Sequence, residues 1–156
     1  MKCRWLIVDG YSLVHRDPEI RSLPATNLML ARERMVRKLE SVAGAFAEKI
    51  TVVFDGRDQP SGSEDVVAGI QVIYSTSGMT ADSVIERLVH AHPQPGDILV
   101  VTSDRRERET VMASGADTIS CGNFMDLCER TRKQMRPGSS SRSGPFKGPT
   151  LGDFFP

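Results

Sequence analysis

Cysteine is scarce in this sequence, and nothing in its spacing would bind a metal. Cys3, Cys121 and Cys128 form an odd set of three, which reads as reduced thiols in a cytoplasmic protein. No apolar run approaches the ~20 residues that a membrane span needs. The first residues hold one Lys and one Arg but no long apolar stretch of the secretory kind. The expectation is a cytoplasmic protein without a membrane partner. Histidine is also rare. His15 reads as a surface or substrate-edge residue, and His90 and His92 are two apart, so on a helix they face different sides and make a poor ligand pair. No G-x-G-x-x-G follows the first apolar run, which disfavours a dinucleotide-binding Rossmann protein.

Net charge is zero, but the charge is unevenly placed. Residues 1–129 carry 14 Lys/Arg against 19 Asp/Glu, whereas 130–148 hold Arg130, Arg132, Lys133, Arg136, Arg142 and Lys147 and no acid. At 156 residues the chain is long enough for one domain with a real core. We divide it into a domain over 1–135 and a basic tail over 136–156, whose Pro, Gly and Ser content at 137–145 argues against a packed element. Such a tail suits phosphate backbones and equally suits a solvated end. Phe154 and Phe155 close it, and the choice there is between docking and fraying.

Strand and helix patterns alternate. The apolar run at 4–8, "ITVVF" at 50–54, "IQVIY" at 70–74, "DILVV" at 97–101 and "DTIS" at 117–120 read as five strands. Helical periods cover 27–48, "TADSVIERLVHAH", "DRRERETVMAS" up to Gly115, and 122–135, while 55–69 reads as a loop. This alternation predicts a doubly wound α/β fold, a central and mainly parallel sheet of about five strands covered on both faces. Ligands in such folds sit at the carboxyl ends of the strands, where strand order reverses.

Three strands end in acids: "LIVD" on Asp9, "VVFD" on Asp55, and "VVTSD" on Asp104. A parallel sheet brings all three to one edge. Buried acids are costly alone, and crowded ones raise each other's pKa, so repetition at one edge calls for a cation; carboxylate oxygens suit Mg²⁺ or Mn²⁺. Asp82 opens the "TADSVIERL" helix, and Glu86 lies one turn on along the same face. Each acid also has a plain reading: Asp82 as a helix-start acid, Asp104 as an N-cap, Asp55 as a turn residue. Asp9, directly after four apolar residues, fits the plain reading worst.

"LIVDGYSLVH", "VVFDG", "TADSVIERLV" and "VVTSD", in this order over about residues 4–130, resemble the YacP-like branch of the NYN domains, within the PIN-like nucleases. The resemblance implies a PIN-like three-layer α/β/α fold and a metal-dependent endoribonuclease acting on RNA, including ribosome-associated mRNA, in RNA decay or processing. It places the catalytic and metal-binding acids on Asp9, Asp82 and Asp104, with Asp55 and Glu86 as auxiliary ligands. It matches Ser103 to a hydroxyl that family members often carry, on the substrate side. Ser12 is expected there too, and Arg105 and Arg106 could touch RNA phosphates as readily as form a solvated helix surface. The chain departs from the family pattern at Ser12, where Asn is usual, and in the basic run "RRERE". Two alternatives stand beside this reading. One is a catalytically silent RNA- or ribosome-binding module of the same fold. The other is a haloacid-dehalogenase-like phosphatase, which lacks its general acid because Tyr11 lies two residues after Asp9.

Overall fold

The strand β1 (Cys3–Asp9) is the centre of the molecule, and its sequence explains why. Leu6, Ile7 and Val8 are fully buried although neighbours on a strand point to opposite faces. Only a sheet covered on both sides accommodates such a run. In the computed structural model, which describes residues 3–23, 28–55, 64–67, 69–76 and 78–134, two apolar layers do the covering. Leu6 and Val8 join Leu13, Met35, Leu39, Phe46, Phe124 and Leu127 on one face. Trp5 and Ile7 join Val53, Ile85, Val89 and Val111 on the other.

From β1 the chain passes through the helices α1 (Gly10–Arg16), α2 (Pro18–Arg21), α3 (Leu28–Glu40) and α4 (Ala43–Phe46) to β2 (Ala47–Phe54). The strands β3 (Glu64–Val67) and β4 (Ile70–Tyr74) precede α5 (Ala81–Ala91) and β5 (Ile98–Val101). The helix α6 (Arg105–Ala113), the strand β6 (Asp117–Ile119) and α7 (Cys121–Gln134) complete it. The strand order is β3-β4-β2-β1-β5-β6. All neighbours run parallel except β3, which pairs antiparallel with β4 at the edge. The five predicted strands form the parallel part. The chain builds outward from β1 through β2 and β4, then returns to β5 on the other side. The order therefore reverses between β1 and β5, where Val8 stands opposite Val101.

Three local readings change. Part of the predicted loop 55–69 is strand: Val66 and Val67 pair with Gln71 and Ile70 across a turn in which Gly69 takes φ 83°, a conformation glycine adopts at little cost. The predicted helix 27–48 breaks after Glu40. Ser41 Oγ donates to the Lys38 carbonyl at 2.7 Å, a local bond that competes with helix continuation, and residues 47–48 belong to β2. Two short helices lie at 10–21. The second begins where Asp17 accepts from the Glu19 and Ile20 amides, with Pro18 in the first turn. The segment 137–145 and Phe154 and Phe155 lie outside the described residues. Among the described residues no helix is long and apolar enough to cross a membrane.

Candidate active site

Four elements meet at the carboxyl edge of the sheet where strand order reverses. The run of β1 ends on Asp9, which is 6% exposed and caps α1. The next residue has to be small. A Cβ on Gly10 would lie 2.3 Å from Phe54 Cε1, so glycine lets α1 start tight against the end of β2. Asp82 lies in the first turn of α5, behind the Thr80 cap that accepts from the Ser83 amide at 3.1 Å. Asp104 caps α6, accepting from the Arg106 amide at 2.9 Å and the Glu107 amide at 3.3 Å.

Glu107 is the residue the sequence reading missed. It follows Asp104 at the spacing of a capping box, in which the Glu side chain would reach back to the cap residue's own amide. Here the Asp104 amide donates to Thr102 Oγ1 at 3.1 Å instead, and Glu107 is free to turn inward. Glu107 and Val111, one turn apart, are the buried residues of α6. That spacing was the available signal, and it was hidden in a run of charges that reads as a solvated surface.

Asp9, Asp82 and Glu107 each bring a carboxylate oxygen within 4.8 Å of the others. Among the described residues none of the three is ion-paired. Neutral hydroxyls serve them. Ser12 Oγ donates to Asp9 Oδ2 at 3.0 Å. Thr102 Oγ1 donates to Glu107 Oε2 at 2.9 Å and reaches Asp9 Oδ2 at 3.4 Å. Glu107 Oε1 is buried and has no hydrogen-bond partner. Burial, with the charges of Asp9 and Asp82, pushes the Glu107 carboxyl up to about 10. Burial also raises Asp82, as do the charges of Asp9 and Asp104, while a hydrogen bond with Glu107 opposes them. Glu107 therefore holds a proton at neutral pH in the metal-free site and shares it with Asp82. Such a set of hard oxygen donors is compatible with a divalent cation.

The other residues singled out in the sequence fall around this centre. Asp104 stands in hydrogen-bonding range of Asp82, beside the close trio rather than in it. Asp55 and Glu86 are half-buried on β2's end and α5, and neither belongs to the trio. Ser12 touches Asp9 directly, whereas Ser103 is exposed and bonds the thiol of Cys121. Arg105 and Arg106 are exposed at the start of α6. Burial raises the thiols of Cys121 to about 11 and Cys128 to about 12, which keeps them protonated and unreactive.

Residues 6–151 match the YacP-like NYN domain family. The chain belongs to that family. NYN domains are nuclease-like, and this membership leaves no place for the phosphatase alternative. The match runs past residue 135 into the segment read as a tail. An uncharacterised protein, YacP of Bacillus subtilis, is 30% identical over 114 residues, which are 71% of this chain and 66% of the relative's length. The crystal structure of Rae1 (YacP) from B. subtilis superposes with a TM-score of 0.69 at 26% identity, covering 83% of this chain and 76% of that one. Its W164L mutant gives a TM-score of 0.70 at 24% identity, over 90% and 86% of the two chains. The YacP-like fold is thus the fold of this chain.

Proposed function

We propose that this YacP-like NYN domain is a metal-dependent endoribonuclease of the cytoplasm, with its reaction centre at Asp9, Asp82, Asp104 and Glu107. The observation that carries the reading is the meeting of three carboxylates within 4.8 Å, two of them buried, with no ion pair to any of them among the described residues. Structural acids do not gather this way, because each raises the cost of ionising the next. The Glu107 carboxyl fits the same reading: among the described residues its buried Oε1 has no hydroxyl, amide or cation, and only the neighbouring acid Asp82 shares a proton with the group. Mg²⁺ or Mn²⁺ suits this all-oxygen set. When bound, such an ion lowers the pKa of a water and neutralises charge on a phosphodiester.

The chain's own residues then have distinct tasks. Asp9, fixed by the Ser12 hydroxyl, and Asp82 are the principal carboxylates. Glu107 would give up its proton to help hold the cation. Thr102 holds Glu107 and, through the Asp104 amide, the start of α6. Ser12 in place of the usual Asn keeps a hydrogen-bond donor on Asp9, so this departure from the family pattern supports an active site rather than a silent module. Asp55 and Glu86 are at most outer groups. Ser103, Arg105 and Arg106 face the substrate, single-stranded RNA.

The test is cleavage of a labelled single-stranded RNA with Mg²⁺ or Mn²⁺, run beside a calorimetric titration of the ion. Cleavage and ion binding that disappear together in Asp82→Asn support the reading. Ion-independent cleavage, or none by the parent protein, overturns it.

A further inference from the structure

Arg32 on α3 is 6% exposed and, among the described residues, has no carboxylate partner. A buried, uncompensated cation is as unusual as the uncompensated acids, because desolvating it costs several kcal/mol. Its surroundings are aromatic. Nη1 donates to Tyr11 Oη at 3.0 Å, and the guanidinium carbon lies 5.3 Å from the Tyr74 ring centroid. Phe54 ties the rings together, stacked on Tyr74 at 5.9 Å and edge-on to Tyr11 at 5.1 Å. Both tyrosines are half-buried.

The position matters as much as the composition. Tyr11 is two residues beyond Asp9, and Phe54 and Tyr74 end the two strands next to β1 on one side. The cation thus stands at the same carboxyl edge as the acid cluster. A metal at the cluster would neutralise one phosphodiester, but an RNA strand carries a charge at every linkage. The linkages beside the scissile one meet an acidic edge and need a cation of their own. A guanidinium has five donors in a flat fork that matches phosphate geometry, and here its hydrogen-bond partner among the described residues is one neutral hydroxyl. Cation–π contact and the Tyr11 bond hold the fork in place without consuming its charge.

We propose that Arg32, positioned by Tyr11 and Tyr74, is a subsite for a non-scissile phosphate of the RNA strand next to the cleaved linkage. The proposal rests on the endoribonuclease reading, and the experiment separates the two. Steady-state cleavage is measured with Mn²⁺ on RNAs carrying a neutral methylphosphonate at one linkage at a time. One linkage beside the cut should raise KM about tenfold, the scale of one hydrogen bond to a charged group, with kcat kept. Arg32→Gln should raise KM by the same factor on unmodified RNA and be insensitive to that substitution. The salt dependence of its kcat/KM should be shallower by about 0.7, one single-strand phosphate contact. Arg32→Lys should restore the salt dependence but only part of the affinity.

An Arg32 with a purely structural role would lower the thermal midpoint and leave the methylphosphonate profile and the salt slope as in the parent; that result overturns the proposal. Should Arg32→Gln not fold, the scan on the parent protein still decides, because a profile flat outside the scissile linkage also overturns it. A parent protein that cuts no RNA overturns the endoribonuclease reading and this subsite with it.

Discussion

Asp17 and Glu107 are both almost wholly buried, at 2% and 1% exposure, yet the fold treats them in opposite ways. Asp17 Oδ1 accepts from the Glu19 and Ile20 amides at 2.9 and 3.3 Å, and Oδ2 takes the Lys38 ammonium at 2.6 Å. Burial alone would lower the Lys38 pKa, but its hydrogen bonds to Asp17 and Glu19 and their charges raise it overall. Glu107 has one hydroxyl on one oxygen and, for the rest, only acids as neighbours, with a proton shared with Asp82. The first arrangement ties α2 to α3. The second keeps an acid protonated, without a cation or amide partner among the described residues, at the place where strand order reverses. Each can be disturbed separately, and opposite responses are expected.

The largest effect is expected at Asp9. Asp9→Asn should lower metal-dependent RNA cleavage by on the order of a thousandfold, the scale of losing a several-kcal/mol metal contribution. Its thermal midpoint should hold or rise, because removing a crowded acid relieves repulsion in the metal-free protein while Asn can still cap α1. Initial rates and a thermal melt on the same preparation check both halves. Parent-like cleavage would remove Asp9 from the reaction centre.

Next comes the pH dependence of stability without metal. Glu107 keeps its proton in the folded chain up to about 10, whereas in the unfolded chain it ionises at its ordinary value of 4.5. Between these values the folded state binds more protons, so stability is full below the lower one and declines as pH rises, by at most about 1.4 kcal/mol per unit. Denaturant melts in chelator from pH 5 to pH 8 should show this decline, and Glu107→Gln should flatten it. A decline of equal slope in Glu107→Gln would place its origin elsewhere. Mn²⁺ should flatten it in the parent, since a bound cation favours the ionised carboxylate.

Asp17→Ala reverses the sign. It removes a cap and leaves Lys38 with Glu19 alone, at a cost of about 3 kcal/mol, the low end for a broken buried pair because Lys38 keeps that partner and contact with water. A thermal midpoint lower by roughly 6–12 °C follows for a chain of this size. RNA cleavage at a temperature where the variant is folded should stay at the parent level. If the midpoint rises instead, Asp17 belongs with the strained acids and the contrast fails.

The two regions were not equally legible in the sequence. The strands around β1 could be read because burial on both faces leaves an unbroken apolar run, and Asp9 could be read because it interrupts such a run. Asp82 and Asp104 followed from their places at helix starts behind those strands. Glu107 could not be read in the same way, since "DRRERE" is charged throughout and only packing selects the face that turns inward. Asp17 carried a legible start signal before Pro18, but its partner Lys38 is 21 residues away and no local pattern links them. The edge strand β3 was obscured for a similar reason: it lies in a stretch rich in polar residues, and pairing with β4 rather than intrinsic pattern makes it a strand.

The smallest effect is expected where charge is plentiful but solvated. Arg105 meets Glu109 at 3.7 Å with both side chains largely exposed, 89% and 72%, so the pair adds little to stability. Replacing Arg105 and Arg106 together by Ala should shift unfolding free energy by no more than about 0.5 kcal/mol. RNA gives these arginines a second readout. Each that touches a phosphate should make the salt dependence of RNA binding shallower by about 0.7 when removed. An unchanged slope would mark both as ordinary solvated charges and leave Arg32, the buried cation, as the better account of how this acidic edge admits an anionic strand.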